Sequence, residues 1–241
     1  MHLQGKTALV TGGTDGIGAQ LIRQLQAKGV NVITQGRNAE RCTATRADGF
    51  EVIEADLGAK SGVDTLLAAV TGRQIDILIN NAGAGVDHDF REPGLPDLAA
   101  SDATIFLNLN APIHLITALM PMLKARPEAL IVNVTSGLAI APRAGGPVYC
   151  ATKAALRSYS QALRAQLKGT GVHVLEALPP VVETKLTAGR GSRKMAPEEC
   201  ARQIVSGIES NAVEANVGMV KLLQVVHSIS PALARSIMIK F

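Results

Sequence analysis

A strand, a glycine loop and a helix follow one another at the amino end of this chain, and they constrain its fold more than any other feature. The strand is the apolar run KTALV, the loop is TGGTDGIG, and the helix is AQLIRQLQAKG, whose amphipathic pattern stops at Gly29. This order opens a βαβ unit, which needs a parallel sheet covered by helices. The sequence therefore predicts an α/β fold whose first loop binds a dinucleotide.

Three glycines give this loop its chemistry. Gly12 permits a tight turn, Gly16 lets the backbone approach a pyrophosphate, and Gly18 lets the helix pack closely on the strand. The amino end of the helix then faces the phosphates with its unpaired N–H groups. The cofactor contacts that we predict in the loop are Gly12, Thr14, Asp15, Gly16, Ile17 and Gly18.

The end of the second strand, VNVITQ, bears on the choice of cofactor. It runs into Gly36 and Arg37, and an arginine suits a 2′-phosphate, whereas an acidic residue suits a free ribose hydroxyl. Arg37 thus favours NADP(H), although an arginine that is only solvated would give the same pattern. Asp15 argues against a second phosphate charge, so NAD(H) stays open as the alternative.

Two further strands end in residues that suit a bound cofactor. The third, FEVIEADLG, places Asp56 and Leu57 to bracket an adenine, although a simple strand-ending turn explains Asp56 nearly as well. The fourth, IDILINNAG, runs into Asn81, Ala82 and Gly83, where small side chains let a cofactor lie against the backbone. We predict cofactor contacts at all five residues.

A phenol, an ammonium and a hydroxyl occur together between Ser136 and Lys153. Tyr149 and Lys153 are four residues apart in the helical pattern YCATKAALRSYSQALRAQLK, so they project from one face. A nearby cation favours the phenolate of a tyrosine, whose ordinary pKa is about 10. Ser136 ends the buried strand ALIVNVTS at the edge where open α/β sheets bind ligands. Ser136, Tyr149 and Lys153 together predict a site of proton transfer. A tyrosine and a lysine at this spacing alone more often belong to the amphipathic rim of a helix.

The helix SDATIFLNLNAPIHLITALMPMLKARP contains polar and helix-disturbing residues within an apolar pattern. Pro112 removes a backbone hydrogen bond and is expected to bend the helix. A bend beside the site could hold a water that conducts protons from Lys153 to solvent. Asn108 and Asn110 are candidates to hold that water, and a satisfied core amide is the alternative for either.

Four separated motifs, TGGTDGIG, NNAG, Ser136 and Tyr149 to Lys153, occur in the order typical of one family. With Ser136 thirteen residues before Tyr149, the chain resembles the compact, single-domain branch of the short-chain dehydrogenases/reductases along nearly its whole length. Its sequence is most similar to those of the DltE-type bacterial oxidoreductases. The resemblance implies a single-domain Rossmann fold, with a doubly wound parallel sheet of about seven strands and helices on both faces.

The resemblance also implies roles for individual residues. Tyr149 matches the catalytic acid/base and Ser136 the residue that positions the substrate carbonyl. Lys153 matches the residue that binds the nicotinamide ribose and lowers the tyrosine pKa, so Tyr149 and Lys153 also count as cofactor contacts. Asn108 matches the holder of the relay water, with Asn110 as the fallback.

Two departures from the family pattern affect the cofactor site. Pro179 and Pro180 stand where the family usually has Pro-Gly, and Pro180 lacks both the N–H and the freedom of a glycine. Asp15 stands where NADP-dependent members often carry a basic residue. Val182 and Thr184 still match the positions that bind the carboxamide and the phosphates.

These observations predict an enzyme that transfers a hydride between NADP(H) and a carbonyl or secondary alcohol. A dinucleotide-sensing protein without turnover is one rival, and the set of Ser136, Tyr149 and Lys153 argues against it. A sugar-nucleotide epimerase is another, but it needs a sizeable substrate domain, and only about sixty residues follow Val181. The sequence leaves the substrate open.

Composition limits the partners and the compartment. The 241 residues, of which 47% are hydrophobic, fit one domain spanning 1–241. The net charge of +4 is spread along a chain that lacks Trp, so we expect no nucleic-acid partner. Three cysteines without metal-ligand spacing predict reduced thiols and no metal site. The chain opens directly on a strand, which predicts a cytoplasmic protein without a signal peptide.

The carboxyl-terminal run VGMVKLLQVVHSISPALARSIMIKF is apolar but interrupted. Lys221, His227, Pro231 and Arg235 break it well below a membrane-spanning length. We therefore expect no stable membrane insertion, and predict that Pro231 divides KLLQVVHSI from ALARSIMIKF. Residues 183–241 are expected to supply a substrate loop or lid and an interface in a homodimer or homotetramer.

Overall fold

Seven short strands form one parallel sheet in the residues that the structure describes, which are 1–92, 94, 96–189 and 194–240 of a computed structural model. The strands are β1 (Thr7–Thr11), β2 (Asn31–Gly36), β3 (Glu51–Glu54), β4 (Ile77–Asn80), β5 (Ala129–Val134), β6 (Val172–Leu178) and β7 (Glu214–Asn216). Their order across the sheet is β3-β2-β1-β4-β5-β6-β7. The chain moves outward from β1 to β3 and then returns to β4, so the winding direction reverses between β1 and β4. This reversal is where open α/β sheets bind ligands.

Helices connect the strands and cover the sheet. They are α1 (Gly16–Ala27), α2 (Ala39–Ala47), α3 (Lys60–Ala69), α4 (Leu98–Ile105), α5 (Ala111–Lys124), α6 (Pro147–Gln166), α7 (Pro197–Glu209), α8 (Val220–Ile229) and α9 (Pro231–Met238). The predicted fold class, a doubly wound parallel sheet of about seven strands, is confirmed.

The core consists of two apolar layers, one on each face of the sheet. Alternate residues of β1 belong to different layers, because Ala8 and Val10 pack on one side and Leu9 on the other. The layer of Ala8 and Val10 contains buried residues of α1 and α7, such as Leu21 and Ile204. The layer of Leu9 contains buried residues of α3, α5 and α6. The central strands β1, β4 and β5 are therefore buried on both faces, as their continuous apolar runs predict.

The disturbed helix expected around Pro112 is divided into three parts. A five-residue π-helical turn, Phe106–Asn110, separates α4 from α5, and Pro112 lies in the first turn of α5. The helix continues through this turn without a free amino end, and the wider π turn accommodates a residue that has no N–H to donate. Wider π turns are frequent at functional sites. The predicted irregularity is present, and it takes the form of a π turn that includes Asn108.

The carboxyl-terminal segment folds as two short helices, as predicted, with Ser230 between them and Pro231 as the first residue of the second. Val220 and Leu223 of α8 lie against Gly137, the residue after Ser136. After α9, the Ile239 carbonyl accepts a hydrogen bond from the Ala144 amide at 3.2 Å. The two helices therefore pack against the loop between β5 and α6.

One helical run, Leu98–Lys124, is long and apolar enough to span a membrane by length and composition. Its residues Leu115, Ile116 and Leu123 are fully buried in the layer that faces β4 and β5. A core helix of a globular fold passes the same test, so the run is weak evidence for membrane contact.

Candidate active site

A groove of about 440 Å³ lies along the carboxyl ends of the central strands, at the reversal between β1 and β4. It contains the predicted cofactor residues Gly12, Thr14, Asp15, Gly16, Ile17, Gly18, Arg37, Asp56, Leu57, Asn81, Ala82, Gly83 and Thr184. A volume of this size is in the range of small-molecule and cofactor sites. Other residues of the groove, which sequence reasoning missed, are Gln35, Gly36, Asn38, Arg41, Ala84, Gly85, Leu107 and Lys185.

The glycine loop is shaped by close approaches that exclude side chains. A Cβ added to Gly18 would lie 2.1 Å from the Gly12 carbonyl oxygen, and one added to Gly12 would lie 2.9 Å from the Ala82 Cα. Gly16 has a φ of +53°, and a Cβ there would lie 2.9 Å from the Thr184 Cγ2 atom. Glycine therefore keeps this part of the groove open for a phosphate group beside the start of α1.

Buried polar side chains hold the loops of the groove together. Thr11 Oγ1 accepts hydrogen bonds of 3.0 Å from the amides of both Asn81 and Ala82. The Asn81 side chain donates to the Thr11 carbonyl at 3.0 Å. Gln35 accepts from the Gly12 amide at 3.1 Å and donates to the Ala55 carbonyl. The sequence predicted a direct cofactor contact at Asn81, and in the structure its side chain bonds to the backbone at the start of the glycine loop.

The charges at the groove differ from the sequence prediction in one respect. Asp15 caps α1 by accepting from the Gly16 amide at 2.8 Å, and its carboxylate pairs with Arg41 at 2.7 Å. Arg37 is largely exposed and lies 3.7 Å from Asp56. The charge of Asp15, which seemed unfavourable for a phosphate, is therefore offset by Arg41. Arg41 lies in the first turn of α2, shortly after Arg37, and a second arginine this close to the end of β2 could have identified it.

A second cavity of about 100 Å³ adjoins the groove and contains the residues predicted to transfer protons. Its residues are Ile17, Asn81, Gly83, Val134, Thr135, Ser136, Tyr149, Lys153, Pro179, Pro180, Val182, Thr184 and Thr187. Ser136 arrives from the end of β5, Tyr149 and Lys153 from α6, and Val182 and Thr184 from the segment after β6. The structure thus brings together residues that the sequence placed in four separate motifs.

Lys153 is almost completely buried beneath Tyr149. Its ammonium donates a 2.8 Å hydrogen bond to the Val134 carbonyl at the end of β5, and it lies 5.7 Å from the centre of the Tyr149 ring. Burial lowers the pKa of Lys153 to about 8. A buried ammonium with a lowered pKa can exchange protons near neutral pH, as a proton relay requires.

Ser136 lines the same cavity as Tyr149 and is also well buried. Its hydroxyl oxygen accepts a 3.1 Å hydrogen bond from the Leu138 amide and caps the short 3₁₀ turn Gly137–Ala139. The Gly137 amide in turn donates to the Pro179 carbonyl at 2.9 Å. The Pro179-Pro180 departure is accommodated here because this bond uses a carbonyl of the pair and needs no N–H from Pro180.

Asn108 is buried within the π turn and contacts the segment that follows β4. Its side-chain oxygen accepts from the Ala84 amide at 3.0 Å, and its nitrogen donates to the Ala84 carbonyl at 2.8 Å and to Thr152 at 3.0 Å. A Cβ added to Gly83 would lie 3.3 Å from Asn108 Oδ1 and 3.5 Å from Lys153 Nζ. Asn108 therefore lies near Lys153, whereas Asn110, the fallback, is only half-buried, and neither residue lines the two cavities.

Comparisons with known proteins agree with this fold and arrangement. The family described as short chain dehydrogenase matches residues 6–194. The chain is 37% identical over 224 residues to the uncharacterized oxidoreductase DltE of Bacillus subtilis (strain 168), covering 89% of this chain and 88% of that protein. It is 35% identical over 191 residues to the serine 3-dehydrogenase of Agrobacterium fabrum, covering 76% and 75% of the two chains.

A solved structure shares the architecture along its whole length. A short chain dehydrogenase from Burkholderia cenocepacia J2315, crystallised in complex with NADP, superimposes with a TM-score of 0.88 at 25% identity over 100% of both chains. The resemblance that the motifs indicated, including the similarity to DltE, is confirmed. The family match over residues 6–194 and the shared architecture show that this chain belongs to the short chain dehydrogenases, a family of NAD(P)-dependent oxidoreductases.

Proposed function

We propose that this protein transfers a hydride between NADP(H) and a carbonyl or secondary alcohol, with Tyr149 as the general acid and base. The observation that carries the proposal is the position of Lys153, which bonds to the Val134 carbonyl and lies 5.7 Å from the centre of the Tyr149 ring, in a cavity that adjoins the dinucleotide groove. The bound nicotinamide would supply or accept the hydride.

Each remaining step belongs to a side chain of this protein. Tyr149 would donate a proton to the carbonyl oxygen as negative charge develops there, and take it back in the reverse direction. Lys153 would favour the phenolate through its charge and bind the nicotinamide ribose. Ser136 would orient the substrate oxygen, since its own oxygen already accepts from the Leu138 amide.

Asn108 would hold the water that passes protons from Lys153 to solvent. Its proposed role rests on its burial and on its position near Gly83, beside Lys153. The carbonyls of a π turn are less regularly paired than those of an α-helix, which suits a bound water. Asn110 lies on the same turn but is only half-buried, whereas Asn108 is buried and lies next to Gly83, so Asn108 is the better candidate.

The residues of the groove fit NADP(H) better than NAD(H). Arg37 and Arg41 line the groove beside the end of β2, where a 2′-phosphate would lie, and they face Asp56 at 3.7 Å and Asp15 at 2.7 Å. Asp15 would bind Arg41 and the α1 cap rather than repel the phosphate. The NADP complex of the Burkholderia cenocepacia relative supports this preference. NAD(H) is the second candidate, because Asp56 could accept a bond from a ribose hydroxyl.

The two rival functions have less support. A binding protein without turnover would not need Tyr149, Lys153 and Ser136 to converge on one cavity. An epimerase acting on a sugar nucleotide needs a lobe for the sugar, whereas the described residues after β6 form α7 and α8, which contact β7, and α9, which contacts α8. The substrate would therefore be a small carbonyl compound or alcohol.

The assembly and compartment are also proposals. The outer face of α8 and α9 exposes large apolar side chains, and these are Leu222, Val225, Ile229, Leu233 and Ile237. Covering this face in a homodimer or homotetramer would remove it from water. The buried thiols of Cys42, Cys150 and Cys200 suit a reducing compartment, so we propose a cytoplasmic enzyme.

An assay with both cofactors tests the proposed activity. The protein would be incubated with NADPH or NADH and a panel of ketones, aldehydes and acyl thioesters, and with NADP⁺ and 3-hydroxy compounds, including serine. The absorbance of the reduced nicotinamide would report turnover. We expect consumption of NADPH with at least one carbonyl class, and reversal with the matching alcohol. Tight NADPH binding without turnover across the panel would support the binding-protein alternative instead.

A further inference from the structure

A buried carboxylate outside both cavities connects the two elements that carry the proposed catalytic residues. Glu176, in β6, is completely buried. Its Oε1 atom accepts a 2.7 Å hydrogen bond from the Thr135 hydroxyl, and its Oε2 atom accepts a 2.8 Å hydrogen bond from Arg157. Neither the motifs nor the roles described above include this residue.

Both partners of Glu176 stand next to proposed catalytic residues in the chain. Thr135 immediately precedes Ser136 at the end of β5. Arg157 follows Lys153 by four residues on α6, which is about one helical turn. One carboxylate therefore bridges the strand end that supplies the serine and the helix that supplies the tyrosine and the lysine.

The charged side chains around Glu176 form a network that fixes the position of its carboxylate. Arg157 also pairs with Glu214 of β7 at 3.1 Å, so its guanidinium lies between two carboxylates. Burial raises the pKa of Glu176, while the bonds from Thr135 and Arg157 counteract that rise. A buried ion pair contributes little net stability compared with apolar residues of similar volume. Its presence is better explained by a role in fixing the relative positions of the elements that it joins.

We propose that Glu176 is a positioning residue that sets the distance between the Ser136 hydroxyl and the Tyr149 hydroxyl by joining Thr135 to Arg157. The proposal rests on the proposed function for its catalytic consequence. Ser136 and Tyr149 must contact the same substrate oxygen, so a small change in their separation lowers the rate without affecting the groove that binds the dinucleotide. The hydrogen bond from Lys153 to Val134 is a second connection between α6 and β5, and it lies on the cavity side of the same elements.

The central variant is Glu176→Gln, which keeps the size of the side chain but leaves one oxygen for two donors. We expect kcat to fall about tenfold or more, with NADPH affinity within about twofold of wild type. Glu214→Gln is the matched control, because it removes the other carboxylate beside Arg157 and leaves the bonds of Glu176 in place. We expect its kcat to stay within about twofold of wild type.

Crystal structures of the wild type and both variants give a readout that does not depend on turnover. The distance between the Ser136 and Tyr149 hydroxyl oxygens should change by about 0.5 Å or more in Glu176→Gln and stay unchanged in Glu214→Gln. An unchanged distance in a folded Glu176→Gln protein would overturn the proposal, whether or not a substrate has been found. Absence of turnover in the wild type would instead count against the proposed function alone.

Thr135→Val keeps the proposal testable if Glu176→Gln does not fold. This variant removes one of the two bonds to Glu176 and leaves the ion pair with Arg157. We expect the same shift in the hydroxyl distance. Where Glu176→Gln also folds, the double variant should lose less kcat than the product of the two single losses. A Thr135→Val protein in which kcat, NADPH affinity and melting temperature all fall together would indicate general destabilisation. That result would also overturn the proposal.

Discussion

The Lys153 ammonium lies 5.7 Å from the centre of the Tyr149 ring, and its hydrogen bond to the end of β5 holds it beneath that ring. The helical spacing of the two residues brings them to one face of α6. The helical spacing alone does not fix the Lys153 amine relative to the sheet. The hydrogen bond to the Val134 carbonyl does so. Helix and strand together therefore place the proposed acid/base pair beside the dinucleotide groove.

The charge of Lys153 should make stability depend on pH. Burial lowers the pKa of this residue from 10.5 to about 8, so between these values the unfolded chain binds a proton that the folded chain has lost. Stability should therefore rise with pH across this window, by about 3 kcal/mol in total. Chemical unfolding of wild type and Lys153→Met at several pH values isolates this contribution. A difference between the two proteins that does not change with pH would contradict the lowered pKa.

Arg41 should contribute to cofactor preference together with Arg37. We expect Arg37→Ala and Arg41→Ala each to weaken NADPH binding about tenfold while leaving NADH binding nearly unchanged, because only NADPH carries the 2′-phosphate. Fluorescence titration with both cofactors measures this. Arg23→Ala is the control, since Arg23 pairs with Asp48 and lies outside the groove. Equal losses for both cofactors would show that the arginines do not read the 2′-phosphate.

Gly16 and Gly72 form a matched pair for testing the groove. Both have positive φ angles, of +53° and +76°, so an alanine at either position has a similar backbone cost of roughly 1–2 kcal/mol. Only at Gly16 does the new Cβ meet Thr184, at 2.9 Å, whereas nothing lies within 4 Å at Gly72. We expect both variants to melt at lower temperature and only Gly16→Ala to bind NADPH about tenfold more weakly. Equal affinities would place the phosphates elsewhere.

The outer face of α8 should form a subunit contact. Leu222 and Ile229 are exposed on it, so Leu222→Asp with Ile229→Asp should convert the assembly to monomers in light scattering. Val213→Asp, which changes an exposed apolar residue outside these helices, should leave the mass unchanged. An oligomer that persists in the double variant would assign the contact to another surface. Binding of the intact protein to liposomes would favour membrane contact instead.

Local spacing was enough to predict much of the fold and of the site. The glycine loop, the Tyr149 and Lys153 pair and the break at Pro231 each depend on residues close together in the chain, where helical or strand periodicity decides the geometry. The parallel sheet of about seven strands, with helices on both faces, followed from the family resemblance. The division of the helix around Asn108 was expected, but the π turn was not, because periodicity cannot distinguish a bend from a wider turn.

The remaining features of the site depend on contacts between distant parts of the chain. Thr11 and Gln35 support the groove through bonds to loops from other strands, and an isolated strand sequence does not indicate them. The offset of Asp15 by Arg41 requires α2 to pack beside the start of α1. Glu176 lies in an apolar strand, where a single carboxylate gives no periodic signal, and only the packing of α6 on the sheet reveals its partners.

Replacement of Tyr149 by phenylalanine tests the central claim most directly, because it removes the proposed proton donor and little else. The chain has two tyrosines, and Tyr159 lies on the same helix outside both cavities, so Tyr159→Phe is the matched control. We predict that Tyr149→Phe lowers kcat for carbonyl reduction by at least about 100-fold while NADPH affinity stays within twofold, and that Tyr159→Phe keeps wild-type kcat. A Tyr149→Phe enzyme that reduces the same substrate at the wild-type rate would contradict the account.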